Sequence, residues 1–168
     1  MNEDCLLLRK DLNRPLHPAQ WPEGVSVVTL TPALLQPVHT LLRQGYADGA
    51  GSVESLEHWQ QCLLHDADYD PHLCFVSLLD GEVVGVAHAW TSAYLKDLVV
   101  HPRMQGRGLG RALLSHVFSV FHSRGEASVD LKVMRHNHKA RHLYHALGMT
   151  EVSAGSALIA WPARHPRA

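Results

Sequence analysis

The stretch VVHPRMQGRGLGRALL, residues 99–114, constrains this chain more than any other part of it. It leaves an apolar run, sets three glycines and three arginines within the nine residues 103–111, and resumes an apolar helical pattern. Glycine removes the Cβ that keeps a ligand away from the backbone and admits left-handed angles, at an entropic cost a plain corner does not require. The first turn of a helix carries unpaired N–H groups and a partial positive charge. Strand, glycine loop and helix in that order describe an anion site, and a phosphate group fits it best. Arg103, Arg107 and Arg111 add charge-assisted donors.

Three phosphate-binding patterns can be laid over the segment. The G-x-x-x-x-G-K-[ST] loop fails because no Lys follows any of these glycines. The dinucleotide pattern G-x-G-x-x-G fails too: its last glycine falls on Arg111 when counted from Gly106, and on Leu113 when counted from Gly108. The pattern Q-x-x-G-x-G is met by Gln105, Gly108 and Gly110.

The flanking sequence predicts a mixed α/β sheet with helices packed on it. Residues 1–24 read as an irregular extension, because NRPLHPAQWPEG holds three prolines and a glycine. A single domain is expected over 25–168. VSVVTL (25–30) is a strand, and the helix after it has Thr31 as N-cap, Pro32 at its first position and a kink or break at Pro37. GAGS (49–52) is a loop, and a second helix follows with Leu56, Trp59, Leu63 and Leu64 as its apolar positions. Asp80-Gly81 joins two β-rich runs as a hairpin. Residues 93–100 form the fourth strand, and the helix after the glycine loop buries Leu109, Leu113, Val117, Val120 and Phe121. Gly125 stops that helix, 127–134 is the fifth strand, Asn137 caps a helix that Gly148 ends, and 149–161 is a final hairpin.

In YLKDLVVHPRMQGRGLGRALL and in NHKARHLYHALGM, the chain resembles the GCN5-related N-acetyltransferase (GNAT) family. The resemblance runs in element order over about residues 25–161 and is sharpest over 93–149, where Asn137, Ala140, Tyr144, Gly148 and Met149 stand in the family's places. It implies a mostly antiparallel twisted sheet of about six to seven strands and about four helices, splayed between strands four and five. It also implies acetyl-coenzyme A as co-substrate. The backbone of Leu98, Val99 and Val100 would pair with the pantetheine arm like an added strand. Backbone amides of Gln105, Gly106, Arg107, Gly108, Leu109, Gly110 and Arg111 would take the pyrophosphate, and Asn137 would lie beside the cofactor as well as cap its helix. A homodimer is the family's frequent assembly.

Acetyl transfer to an amine requires a held thioester, a stabilised oxyanion, a deprotonated amine and a protonated leaving thiolate. The resemblance makes Tyr144 the acid for the thiolate; the alternative is a ring that merely packs in the stripe Ala140, Leu143, Tyr144, Leu147. Asp97 lies in an apolar strand where an unpaired carboxylate is costly. It either binds or deprotonates the amine, or is paired with Lys96 or a neighbouring strand. Glu54, Glu57, Asp66, Asp68 and Asp70 read as a solvated face that can also meet a cationic substrate. His138, His142 and His145 share one helix face but lie opposite the apolar stripe, so they read as surface groups and no metal is expected. His101 starts the loop, and His88 is a further candidate base.

Composition narrows the partners. Lys plus Arg number 15 and Asp plus Glu 16, a balance that disfavours nucleic acid. Three cysteines without C-x-x-C spacing fit a reducing compartment, and no run approaches the ~18 apolar residues of a membrane span. The expectation is a cytoplasmic enzyme that acetylates a small primary amine. Peptide acetylation, a coenzyme A-binding module without turnover and a nicotinamide-dependent enzyme are the competing readings.

Overall fold

A computed structural model describes residues 4–47 and 53–152. Among these residues seven strands form one sheet: β1 (Cys5–Asp11), β2 (Val25–Thr29), β3 (Cys74–Leu79), β4 (Glu82–Trp90), β5 (Tyr94–Val100), β6 (Ser128–Met134) and β7 (Thr150–Glu151). Their order across the sheet is β2-β3-β4-β5-β6-β1-β7. Every neighbouring pair is antiparallel except β5 and β6. Four α-helices complete the described fold: α1 (Leu35–Gly45), α2 (Leu56–His65), α3 (Leu109–Ser123) and α4 (His138–Ala146). None of them is long and apolar enough to cross a membrane.

The sheet is buried on both sides. On β3, Phe75 faces a core that also holds Leu113, Phe118 and Tyr144, whereas Cys74 and Val76 face a second core with Leu41, Trp59 and Leu63. Alternation along a strand puts these on opposite faces, so α3 and α4 cover one side and α1 and α2 the other. Gly85 of β4 shows how closely α3 is seated: a Cβ there would lie 2.5 Å from Ser77 Oγ and 3.0 Å from Leu113 Cδ1.

Most elements form where the sequence places them. Asp80 and Gly81 both take positive φ, 51° and 77°, as a tight hairpin turn with the strands' twist requires. Gly125 and Gly148 end α3 and α4 with φ of 84° and 91°. Leu109, Leu113, Val117 and Phe121 are buried and Val120 packs against them. Three details differ. Thr31 makes no side-chain cap; a 3-10 turn over Pro32–Leu34 precedes α1. Pro37 then falls in the first turn of α1, where its missing N–H costs no hydrogen bond. Leu64 is 76% exposed, so α2 buries Trp59 and Leu63 but not this third large residue.

The largest difference lies in the segment expected to be irregular. Its first half is β1, paired residue for residue with β6 from Cys5–Met134 to Asp11–Ser128. Leu6, Leu7 and Leu8 are all buried, as in a central strand covered on both faces. Arg9 and Asp130 close a two-pronged ion pair across the ladder at 2.7 and 2.8 Å. Residues 13–24 hold neither helix nor strand, as the prolines predict. Of the expected C-terminal hairpin only residues 149–152 are described, with Thr150–Glu151 pairing with β1; the loop 49–52 and residues 153–161 of that hairpin lie outside the described residues.

Candidate active site

The glycine segment becomes a short 3-10 turn (Pro102–Met104), an open loop and the start of α3. His101 begins it, its Nδ1 accepting the N–H of Arg103 at 3.2 Å. Gly106 and Gly108 have φ of 77° and 84°, angles that L side chains rarely adopt, and a Cβ at either would meet nothing within 4 Å. Open space around two left-handed glycines is what a cradle for an external group requires. The first backbone bond of α3 runs from Ala112 N to Gly108 O at 3.0 Å. The N–H groups of Leu109, Gly110 and Arg111 therefore precede the helix's own ladder. The Leu109 side chain is buried in the core, so only its backbone is on offer.

The arginines divide. Arg103 turns away from the loop to pair with Glu82 at 2.7 Å. Arg107 and Arg111 are exposed and form no ion pair among the described residues. Gln105 is exposed but tethered: its amide donates to Val100 O at 3.4 Å and accepts from Lys139 Nζ at 3.3 Å. Its side chain thus fastens the loop to the end of β5 and to α4, leaving its backbone for other use.

Beside the loop the sheet opens. β5 and β6 are paired only at Tyr94–Asp130 and Leu95–Leu131. Beyond Leu95 they separate, so Leu98, Val99 and Val100 lie on a strand edge that β6 does not fill. The splay expected between the fourth and fifth strands is here, and the newly found β1 makes them β5 and β6. A register shift on the other side of β5, where His88 faces Asp97 but Ala89 faces Leu95, leaves Lys96 as the extra residue of a bulge.

α4 brings two further residues to this region. Asn137 Oδ1 accepts the N–H of Ala140 at 3.2 Å, the expected cap. Tyr144 is buried beside the α3 core; burial pushes its hydroxyl up to about 12. No hydrogen bond to that hydroxyl forms among the described residues. The histidines His138, His142 and His145 are exposed, and no group of His, Cys, Asp or Glu among the described residues is arranged to hold a metal.

Asp97 lies on the opposite face of the sheet, on the side of α1 and α2, in register with His88. Tyr46, at the end of α1, donates its hydroxyl to Asp97 Oδ1 at 2.6 Å. His88 Nδ1 lies 3.7 Å from Oδ2, beyond hydrogen-bond length. His88 is 2% exposed and its Nε2 is without a partner among the described residues. Burial alone would raise the Asp97 carboxyl, but His88, Lys96 and the Tyr46 hydroxyl outweigh it and hold the group at about 2. The position of Tyr46 follows from the tight seat of α1: a Cβ on Gly45 would come within 2.5 Å of Val99 Cγ1.

Sequence reasoning singled out Asp97 and His88 separately and missed Tyr46, which lies 51 residues from its partner and carries no local motif. Among the other acids, Asp70 pairs with Arg124 at 3.2 Å and caps the turn at His72. Asp66 accepts the N–H of Asp68 at 2.9 Å. These two shape turns rather than line the splay.

The sequence profile of the acetyltransferase (GNAT) family matches residues 36–149. The mycothiol acetyltransferase of Thermobispora bispora is 30% identical over 160 residues, which cover 85% of this chain and 52% of that protein. The [ribosomal protein bS18]-alanine N-acetyltransferase of Escherichia coli K12 is 41% identical over 61 residues, 36% of this chain and 41% of that one. The chain spans about half or less of the length of these curated relatives. Among solved structures, the GCN5-related N-acetyltransferase of Sphaerobacter thermophilus superimposes with a TM-score of 0.77 over 88% of this chain and 48% of its own, at 24% identity.

Proposed function

Because the chain belongs to the acetyltransferase (GNAT) family, we propose that it transfers the acetyl group of acetyl-coenzyme A to a primary amine of a small molecule. The observation that carries this reading is the open cradle of Gly106 and Gly108 at the start of α3, set beside the strand edge that β5 leaves unpaired. The residues present fit the cofactor's two chemically distinct parts. Backbone N–H groups between Gly106 and Arg111, with Arg107 and Arg111, suit a diphosphate. Main-chain groups of Leu98, Val99 and Val100 suit the two amides of a pantetheine arm, which adds to β5 in the manner of an extra strand.

When bound, acetyl-coenzyme A supplies the thioester, whose carbonyl carbon the amine nitrogen attacks. The register shift at Lys96 interrupts the β4 ladder, and a backbone N–H released by such a bulge would be a donor suited to polarise that carbonyl. As the C–N bond forms and the C–S bond breaks, one amine proton leaves to water. Tyr144 would give its proton to the leaving sulfur; burial pushes the phenol up to about 12, so it is fully in its protonated, donor form at neutral pH. Asp97 is assigned an electrostatic task. A carboxyl held at about 2 is a weak proton acceptor at neutral pH but a permanent negative charge, which favours a cationic acceptor near the α1 and α2 face.

A second reading, acetylation of a peptide amine, is supported by the alanine N-acetyltransferase of E. coli, with its 41% identity over 61 residues. The test is release of free thiol from acetyl-coenzyme A with a panel of polyamines, amino acids, aminoglycosides and an alanine-ended peptide. Thiol release that depends on a small amine supports the proposal. Release with the peptide alone supports the second reading, and cofactor binding without release under any amine would make the chain a coenzyme A-binding module.

A further inference from the structure

His88 of β4 is buried, and its Nε2 has no partner among the described residues. A buried polar atom with nothing to bond is costly, and an apolar side chain would fill the same space without that cost. The ring's other nitrogen sets what Nε2 can do. Nδ1 is the nitrogen on the Asp97 side, 3.7 Å from Oδ2, and an anion there favours the tautomer with its proton on Nδ1. Nε2 then carries a lone pair and accepts rather than donates.

The groups around the ring fix its electrostatics. Tyr46 of α1 donates its hydroxyl to Asp97 Oδ1 at 2.6 Å, so the other oxygen is the one turned to His88. Cys74 stands opposite His88 on β3, and the Tyr69 ring meets the imidazole edge-on at 5.9 Å. Burial pushes the Cys74 thiol and the Tyr69 phenol up, so neither is ionised at neutral pH. Lys96, the cation of the group, holds its Nζ 5.5 Å from the centre of the Trp90 ring. Asp97 is the one anion among these neighbours, and a charge in a buried place weighs more than it does in water. The ladder also sets the pair beside the bulge: His88 faces Asp97, Ala89 faces Leu95, and Lys96 is the extra residue between them. Along both strands the imidazole is therefore next to the bulge proposed to polarise the thioester carbonyl.

We infer that His88 takes the proton of the attacking amine at Nε2, with Asp97 as the counter-charge to the imidazolium and Tyr46 as the positioning residue that holds Asp97. This rests on the acetyltransferase reading and gives the amine proton a nearer destination than bulk water. The amine nitrogen bonds the carbonyl carbon and loses one proton to Nε2. The C–S electron pair leaves on sulfur, which takes the Tyr144 proton. Solvent then removes the imidazolium proton and returns one to the Tyr144 phenolate before the next turnover.

The test is the pH dependence of kcat/KM for the acceptor amine, followed by thiol release. Wild-type activity should fall on the acid side as His88 becomes protonated. His88→Gln should lower kcat/KM at neutral pH by about a hundredfold and flatten that acid limb, with the KM for acetyl-coenzyme A within about twofold of wild type. Asp97→Asn should move the limb to lower pH, because the imidazolium loses its counter-charge. Tyr46→Phe, which keeps the ring, should cost about tenfold, the worth of a hydrogen bond to a charged group, and leave the limb in place. Thermal melts check that the variants are folded. NMR of the imidazole nitrogens in the wild-type protein needs no substitution: the neutral His88 ring should carry its proton on Nδ1. A proton found on Nε2 instead overturns the inference while leaving the acetyltransferase reading standing. So does an acid limb that persists in folded His88→Gln, or one that Asp97→Asn does not move. Absence of thiol release from the wild-type protein with every amine overturns both.

Discussion

Tyr144 and Asp97 lie on opposite faces of the sheet, and in the proposed reaction their opposite shifts suit them to different tasks. A phenol pushed up to about 12 is a proton store; a carboxyl held at about 2 is a charge. Tyr144→Phe should lower turnover by about a hundredfold, the usual worth of a positioned general acid, while cofactor affinity stays within about twofold of wild type. Steady-state kinetics beside calorimetry would show this, and equal losses in both would make the hydroxyl a packing group. Asp97 makes a prediction in pH. Its carboxyl is lower in the folded chain than its ordinary 3.8, so its contribution to stability is complete above about pH 4 and disappears as pH falls toward 2. Asp97→Asn should cost roughly 2 kcal/mol at neutral pH and remove that acid step; denaturant melts of both proteins at pH 7, 4 and 3 would reveal it. A polar residue in an apolar strand made Asp97 visible in the sequence. Its partners were not visible, because a bulge sets which residue of β4 stands opposite and a helix end 51 residues away supplies the hydroxyl.

At the level of single elements, the strand–loop–helix unit was the most legible part of the chain. Its glycines, caps and apolar periodicity act locally, and each can be read within a few residues. Gly108→Val places a β-branched residue at a φ of 84°, so coenzyme A affinity should fall by at least tenfold, with about 1–2 kcal/mol lost in stability. Unchanged affinity would mean that the cradle is not where the diphosphate lies. Gly85→Ala tests the seat of α3 on β4. Its Cβ would press on Ser77 and Leu113, and a loss of about 1–3 kcal/mol is expected in thermal melts. What the sequence could not show at this scale depends on packing between elements. Leu64 fits the helical stripe of α2, yet none of the described residues covers it, and Pro37 breaks a helix only where its missing N–H would have had a carbonyl partner within that helix.

Across the whole molecule, the strand that escaped sequence reading is the one that links β6 to β7 at one side of the sheet. Three consecutive leucines buried on both faces give no alternation to detect, and the prolines that follow suggest a lead-in rather than a strand. Removing residues 1–11 would bare the full edge of β6 and detach β7, which pairs with β1. The truncated chain should lose cooperative unfolding and aggregate, which light scattering during a melt would report; a soluble monomer with an unchanged midpoint would refute this. Leu8→Ala is the gentler version, expected to cost about 2–5 kcal/mol. The same strand has a consequence in time. Residues 5–11 find their partner only when residues 128–134 have been synthesised, so the β6-β1-β7 side of the sheet waits on a long-range closure. Such closures are slow, and during the delay the apolar leucines near the N-terminus stand bare to whatever chaperone or neighbour reaches them first.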